Sequence, residues 1–163
     1  MEKIKVYIEI CREDVVIPKY ANIYDAGMDI CSAIDIEILP NQTIVIPTGI
    51  KLAIPEGFEI QVRPRSGLSL KTPLRLSNSP GTIDSGYRDE VGILITNTSQ
   101  NKSDNKVLSI STKGNISGIY RIKKGERIAQ IVLARVPQIQ FEVVNDVTKI
   151  GTNRGGGFGS TGV

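Results

Sequence analysis

"GFEIQVRPRSGLSLK", residues 57–71, begins with Phe58, Ile60 and Val62 alternating with Glu59, Gln61 and Arg63. A period of two sends successive side chains to opposite faces of an extended chain, so this half of the stretch reads as a half-buried strand. Pro64 then removes a backbone donor and ends the ladder. Arg65, Ser66 and Gly67 follow, at a corner where backbone amides and a hydroxyl can point at a phosphate. An ordinary strand-to-turn corner with a solvated arginine has the same composition. A short helical turn over Ser66 to Lys71 fits beyond it.

The same period recurs on both sides. Ile4, Val6, Ile8 and Ile10 alternate with Lys5, Tyr7 and Glu9, and Ile34, Ile36 and Ile38 with Asp35 and Glu37. Val107 to Ser111, Ile128 to Val136 and Ile139 to Val143 continue the theme. Turn signals at Pro40-Asn41, Pro55-Glu56-Gly57 and Lys124-Gly125-Glu126 separate these runs, which predicts an all-β sandwich or barrel. Prolines at 18, 40, 47, 55, 64, 73 and 80 leave little room for a long helix in the first half.

A chain of 163 residues suits one domain with a real core. Twenty basic against seventeen acidic residues give a net charge of +3, too slight a bias for nucleic-acid binding. The alternating N-terminus has no signal-peptide core, and no apolar run nears the ~18 residues of a membrane span. The expectation is a cytoplasmic protein without membrane or nucleic-acid partners. Cys11 and Cys31 are the only thiols, with neither a CxxC pair nor a histidine, so a zinc site is not expected. Reduced cysteines fit that compartment better than a disulfide.

Two segments break the strand-turn alternation. Residues 97–118, NTSQNKSDNKVLSISTKGNISG, are polar and read as a long hairpin or excursion with room for one added strand. Residues 151–163, GTNRGGGFGSTGV, hold six glycines and almost nothing to bury. Such a tail can be low-complexity sequence that is mobile on its own. It can also be a binding arm. Glycine amides converge on anions, Arg154 offers a charged fork, Ser160 and Thr161 offer hydroxyls, and Phe158 offers a flat face for a base. It is not a Walker A loop, which needs GxxxxGK(S/T) between strand and helix.

"GTIDSGYRDE", residues 81–90, packs three carboxylates, an arginine and a tyrosine into ten residues. It reads as a solvated hairpin tip or as an active-site loop. With no histidine in the chain, a carboxylate such as Asp84 is the obvious proton acceptor near neutral pH. In YDAGMDI, residues 24–30, Asp25 and Asp29 flank Gly27, usually the mark of a turn whose aspartate bonds its own backbone. Gln130 should face the same side as Ile128 and Val132, where an amide is either satisfied by backbone or aimed into a site.

Five stretches in this order resemble the five motifs of the homotrimeric deoxyuridine triphosphate nucleotidohydrolases (dUTPases): YDAGMDICSA, PRSGLSLK, GTIDSGYRDEVGILITN, RIAQIVLARV and RGGGFGSTG. They span residues 24–162 with matching spacing apart from the excursion at 97–118. The resemblance implies a jelly-roll-like β-barrel over residues 1–150 and a flexible arm over 151–163 that closes a site shared between the subunits of a trimer. It implies hydrolysis of dUTP to dUMP and pyrophosphate with Mg²⁺ carried on the triphosphate and its waters rather than in a protein cage. That reaction limits uracil incorporation into DNA and supplies dUMP for thymidylate synthesis.

By the same resemblance Asp84 activates the attacking water. Tyr87 lies under the deoxyribose and leaves no space for a 2′-hydroxyl. Gly81, Thr82, Ile83 and Gly92 read uracil through main-chain groups, with Asn78 a further nucleotide contact. Arg65, Ser66 and Gly67 hold the phosphates, Gln130 touches the phosphate and water side, and Asp29 supports that geometry. Phe158 would stack on uracil while Arg154, Gly159, Ser160 and Thr161 close over the phosphates. Asp89 stands where the family usually has glycine, and can alter the hairpin or face solvent. The rival readings are a dCTP deaminase of the same fold and a trimer serving mainly as a regulatory scaffold, with 97–118 as the surface for a protein partner.

Overall fold

The computed structural model describes residues 2–100 and 106–156. In chain order the strands are β1 Tyr7–Ile10, β2 Met28–Cys31, β3 Ile36–Ile38, β4 Thr43–Pro47, β5 Ile50–Ala53, β6 Phe58–Arg63, β7 Leu74–Leu76, β8 Gly81–Ile83, β9 Gly92–Asn97, β10 Val107–Ser109, β11 Ile119–Ile122 and β12 Arg127–Arg135. One helix, α1 Ser66–Lys71, interrupts them where the sequence left room for a turn. No helix among the described residues is long and apolar enough to cross a membrane. The architecture is all-β and jelly-roll-like, as the resemblance implied.

The strands form four small sheets. β1 pairs with β5, β4-β9-β7 form a second, β10-β11-β3 a third, and β2-β12-β6-β8 the fourth. That fourth sheet is the one that positions chemistry. β6, the strand of the opening stretch, runs antiparallel to β12 on one side and β8 on the other. Its Ile60 and Val62 point into a core shared with Ile38, Ile46, Ile50, Ile93, Ile95, Tyr120 and Ile122, all buried. β-branched isoleucine dominates because stiff, branched side chains pack well on a pleated face.

Asn97 ends β9 on the core face and is fully buried. Its amide donates to the carbonyls of Ile38 (2.9 Å) and Gly118 (2.8 Å), and its Oδ1 accepts from the Ser99 amide (3.1 Å). One side chain therefore ties both ends of the 97–118 excursion to β3. Each buried polar group left without a partner on its replacement costs about 1–3 kcal/mol, although the Gly118 carbonyl keeps a long bond from the Ser99 hydroxyl (3.4 Å). Within the excursion β10 forms and lies parallel to β11, and the Asn115 amide reaches back to the Lys71 carbonyl (2.8 Å) at the end of α1.

Three expectations from periodicity need correction. The N-terminal run from Ile4 to Ile10 yields only Tyr7–Ile10 as strand, because β5 offers only four partners. Ile128 does not share a face with Gln130. The register shifts between Arg127 and Ala129, and Ile128 joins Ala129 and Ile131 in the core. Residues 139–143 form no strand despite their alternation. Ile139, Phe141 and Val143 are 77, 86 and 97% exposed, and no hydrogen bond joins 138–156 to any sheet among the described residues. A strand needs a neighbouring edge, and these residues have none among the described residues of the chain.

Candidate active site

α1 starts immediately after β6 and Pro64. Arg65 precedes it in an extended conformation and does not cap it; its guanidinium turns instead to β2, where Nε donates to Asp29 Oδ1 at 2.6 Å and Nη2 to Oδ2 at 3.3 Å. Arg127, the first residue of β12, also reaches Asp29 Oδ2 (3.2 Å), and Arg65 donates to the Arg127 carbonyl (3.2 Å). Two guanidiniums thus share one carboxylate, leaving a net positive charge beside Ser66 and Gly67. Arg65 and Asp29 are half-buried and Arg127 is exposed. A fork of this kind suits a phosphate oxygen.

Gln130 lies next to Asp29 across the β12–β2 ladder. Its Nε2 donates to the Pro64 carbonyl at 2.8 Å, so backbone satisfies the donor end of the amide. A Cβ on Gly27 would come within 2.7 Å of Gln130 Oε1 and 3.3 Å of Val132, which explains a glycine there and keeps Val132 on the face of Gln130. Gln130, Asp29, Gly27, Asp25, Ala26, Ala21 and Lys19 line one shallow hollow. Asp25 itself behaves as a turn former, accepting from the Asn22 amide at 2.8 Å. Gly67 differs from Gly27: a Cβ there would meet nothing within 4 Å, so this chain's own packing does not require the glycine.

The second cluster sits on the opposite edge of the same sheet. β8 carries Gly81 and Ile83 inward and Thr82 outward. Gly81 is packed against Val62 and Asn78, with contacts of 3.2–3.4 Å to a built Cβ, and Asn78 is exposed. Asp84 follows, its carbonyl accepting from the Tyr87 amide (3.1 Å) to form the turn. The Asp84 carboxylate is exposed. Tyr87 is 39% exposed and donates its hydroxyl to the Glu90 carbonyl (3.0 Å). Gly92 begins β9 where a Cβ would strike Val45 at 2.5 Å. Asp89 is exposed, close enough to Lys51 to help hold that ammonium charged behind the larger effect of Glu9, so the unusual aspartate faces solvent.

Strand register measures how far apart the two clusters lie. Gly81, Thr82 and Ile83 oppose Val62, Gln61 and Ile60, which places Asp84 level with Glu59 and hence with Ala134. Asp29 is level with Gln130, four residues away along β12 and three strands across. At about 3.3 Å per residue and 4.8 Å per strand, Asp84 and Asp29 are separated by about 19 Å.

Arg154 is exposed and outside every sheet; Phe158, Gly159, Ser160 and Thr161 lie outside the described residues. Arg127 is the functional candidate that the sequence reading missed, although it opens the fourth motif. No group of three or more His, Cys, Asp or Glu that could hold a metal occurs among the described residues, and both cysteines are free.

The geometry places a cationic fork and a carboxylate-tyrosine hairpin on one β-fold, and known proteins share both the fold and the sequence. The dUTPase family model matches residues 13–107 and 108–162. The deoxyuridine 5'-triphosphate nucleotidohydrolase of a Wolbachia species (subsp. Drosophila simulans, strain wRi) is 42% identical over 99% of both chains. That of Zymomonas mobilis is 46% identical over 90% of this chain and 88% of its own. The dUTPase of Staphylococcus bacteriophage 80alpha, solved with dUPNHPP, superposes with a TM-score of 0.87 at 31% identity over 98% of this chain and 99% of that one. A mutant dUTPase from phage phi11 of S. aureus, whose structure reveals the coordination of a structural Mg(II) ion, gives 0.79 at 29% identity over 87% and 97%. With family model, full-length relatives and fold in agreement, this chain belongs to the dUTPase family.

Proposed function

We propose that this chain hydrolyses dUTP to dUMP and pyrophosphate, in a site assembled from more than one copy. The observation that carries the reading is the cationic fork of Arg65 and Arg127 on Asp29 at one edge of the sheet and the Asp84–Tyr87 hairpin at the other, about 19 Å apart by ideal strand spacing. Each cluster supplies what the other lacks: charge stabilisation for phosphates, and a base with an aromatic wall for a nucleoside. In a closed cyclic assembly the fork of one chain faces the hairpin of another, and the third chain's arm lies over both.

In that site the water oxygen attacks the α-phosphorus as Asp84 takes its proton, and the bond to the α–β bridging oxygen breaks. Arg65, Arg127 and the Ser66 hydroxyl hold the phosphate oxygens, Gln130 orients the water side, and Arg154 completes the charge. Such a reaction depends mainly on positioning and charge stabilisation. Uracil is read by main-chain groups from Gly81 to Ile83 and at Gly92, with Asn78 alongside. Magnesium would be held by the triphosphate oxygens and waters, the coordination this small hard cation prefers. Bound there, it would supply charge neutralisation for the leaving pyrophosphate.

Pyrophosphate release from dUTP, compared with UTP, dTTP and dCTP, tests this directly. UTP and dTTP each add a group where a rigid wall stands, so kcat/KM should fall by about 10²-fold or more for both. Comparable values for UTP and dUTP overturn the pocket. Ammonia release from dCTP would point to the deaminase reading, which nothing in the family match favours. Assembly has its own measure. Light scattering should give about 53 kDa, three times 17.7 kDa. A fully active monomer refutes the shared site.

A further inference from the structure

Glu90 closes the hairpin that carries Asp84 and Tyr87, and its carboxylate reaches outside the five motifs. It accepts from Arg12 Nε at 2.6 Å and Arg12 Nη2 at 2.8 Å, a bidentate fork, and from the Gly49 amide at 2.7 Å. Its own carbonyl accepts the Tyr87 hydroxyl at 3.0 Å. One residue therefore links the aromatic ring of the nucleoside hairpin to the turn between β4 and β5 and to the segment after β1.

Both anchors are themselves fixed. Gly49 has φ +75°, and a Cβ there would meet Val15 at 2.3 Å and Arg12 at 3.3 Å, so its amide direction belongs to a backbone that only glycine accepts readily. The next hairpin residue is clamped as well. The Val91 amide donates to the Ile50 carbonyl (2.9 Å), and its carbonyl accepts from the Thr48 hydroxyl (2.6 Å). The bond from Arg12 holds the Glu90 carboxyl below its ordinary value, against partial burial, with Gly49 and Lys51 adding to the effect. The pair is charged throughout the neutral range.

We propose that the Arg12–Glu90–Gly49 contact is a positioning device for Tyr87 and thereby sets the rejection of ribonucleotides. The proposal rests on the dUTP reading above. A flat ring excludes a 2′-hydroxyl only if it cannot retreat. The Tyr87 hydroxyl is pinned to a carbonyl whose own residue is braced by a fork from a different part of the chain. Arg12 acts through Glu90 and is not itself a catalytic residue.

The test compares kcat/KM for dUTP and UTP, with thermal midpoints, in Arg12→Ala, Arg12→Lys, Glu90→Ala and Glu90→Gln, each also in a Tyr87→Phe background. Arg12→Ala should lower the dUTP-to-UTP preference about 10-fold, raising KM for dUTP more than it lowers kcat, since small displacements of a positioning wall carry large effects. Glu90→Gln keeps one acceptor oxygen for the Gly49 amide and Arg12 Nε but sets an NH2 against Arg12 Nη2, so it should recover only part of what Glu90→Ala loses. In the Tyr87→Phe background, where the pinning bond is already gone, Arg12→Ala should change the preference less than about 3-fold, the mark of coupled residues. An active Arg12→Ala enzyme with a lowered thermal midpoint and an unchanged preference overturns the proposal, leaving only a structural brace. Should Glu90→Ala fail to fold, Arg12→Ala decides, because it leaves the Glu90–Gly49 bond in place and Arg12 is 43% exposed. Wild-type protein that releases no pyrophosphate from dUTP overturns the nucleotide reading itself, and this proposal with it.

Discussion

A chain that stops at Ile150 should keep its far-UV spectrum and oligomeric mass while kcat/KM for dUTP falls by about 10³-fold or more. Packing alone argues for no effect on activity either. Among the described residues, the last hydrogen bond from the C-terminal region to the sheets is the Val136 amide to the Gly57 carbonyl, and residues 151–156 add none. Removing them leaves the core untouched, which is why fold and mass should survive. Activity is another matter on the reading proposed above. Arg154 leaves the phosphates, and a cation at a transferring phosphoryl group is worth on the order of 10³-fold in favourable cases. Phe158 leaves the base, and stacking on an aromatic is worth roughly 1–3 kcal/mol. Arg154→Ala alone should mainly lower kcat, and Phe158→Ala should weaken closure over the nucleotide. If the arm serves a neighbouring subunit, truncated chains mixed with full-length Asp84→Asn chains regain part of the activity. Normal turnover by the truncated protein reduces the segment to an inert tail.

What could be read beforehand followed from local physics. β6 and α1 were legible because alternation, a proline and a short tolerant stretch each act within a few residues. Asp25 was legible as a turn former for the same reason. Asp29 was not separable from it by composition. Its distinction is a partner 36 residues away, Arg65, brought alongside by the β2-β12-β6 order. Arg127 stayed hidden because a charged residue at a strand start looks like any solvated one until the ladder places it beside Asp29. The bulge at Arg127/Ala129 reversed the face of Ile128, a change that a strict period cannot anticipate. The alternation at 139–143 marked a segment with an apolar face and no pairing strand among the described residues. A strand pattern states a need for an edge, not where the edge is.

Asp84→Asn should bind dUpNHpp nearly as well as the parent enzyme and turn over dUTP at least about 10²-fold more slowly, the lower end for losing a general base. The substitution is isosteric, so the Asp84–Tyr87 turn, which uses the Asp84 carbonyl and not its side chain, should persist. What disappears is proton acceptance. In a chain with no histidine, few groups could take over. Asp29 is held between Arg65 and Arg127, Glu90 between Arg12 and Gly49, and both are engaged as anchors. Asp84, by contrast, is exposed at the hairpin tip, and on the reading proposed above it meets a water held against a neighbouring chain's phosphate fork. The variant therefore separates binding from chemistry. Calorimetry with the non-hydrolysable analogue reports the first, and pyrophosphate release the second. Loss of both together would mean that Asp84 shapes the pocket, and near-parental turnover would mean that the base lies elsewhere. Only retained binding with lost turnover identifies Asp84 as the group that accepts the water's proton.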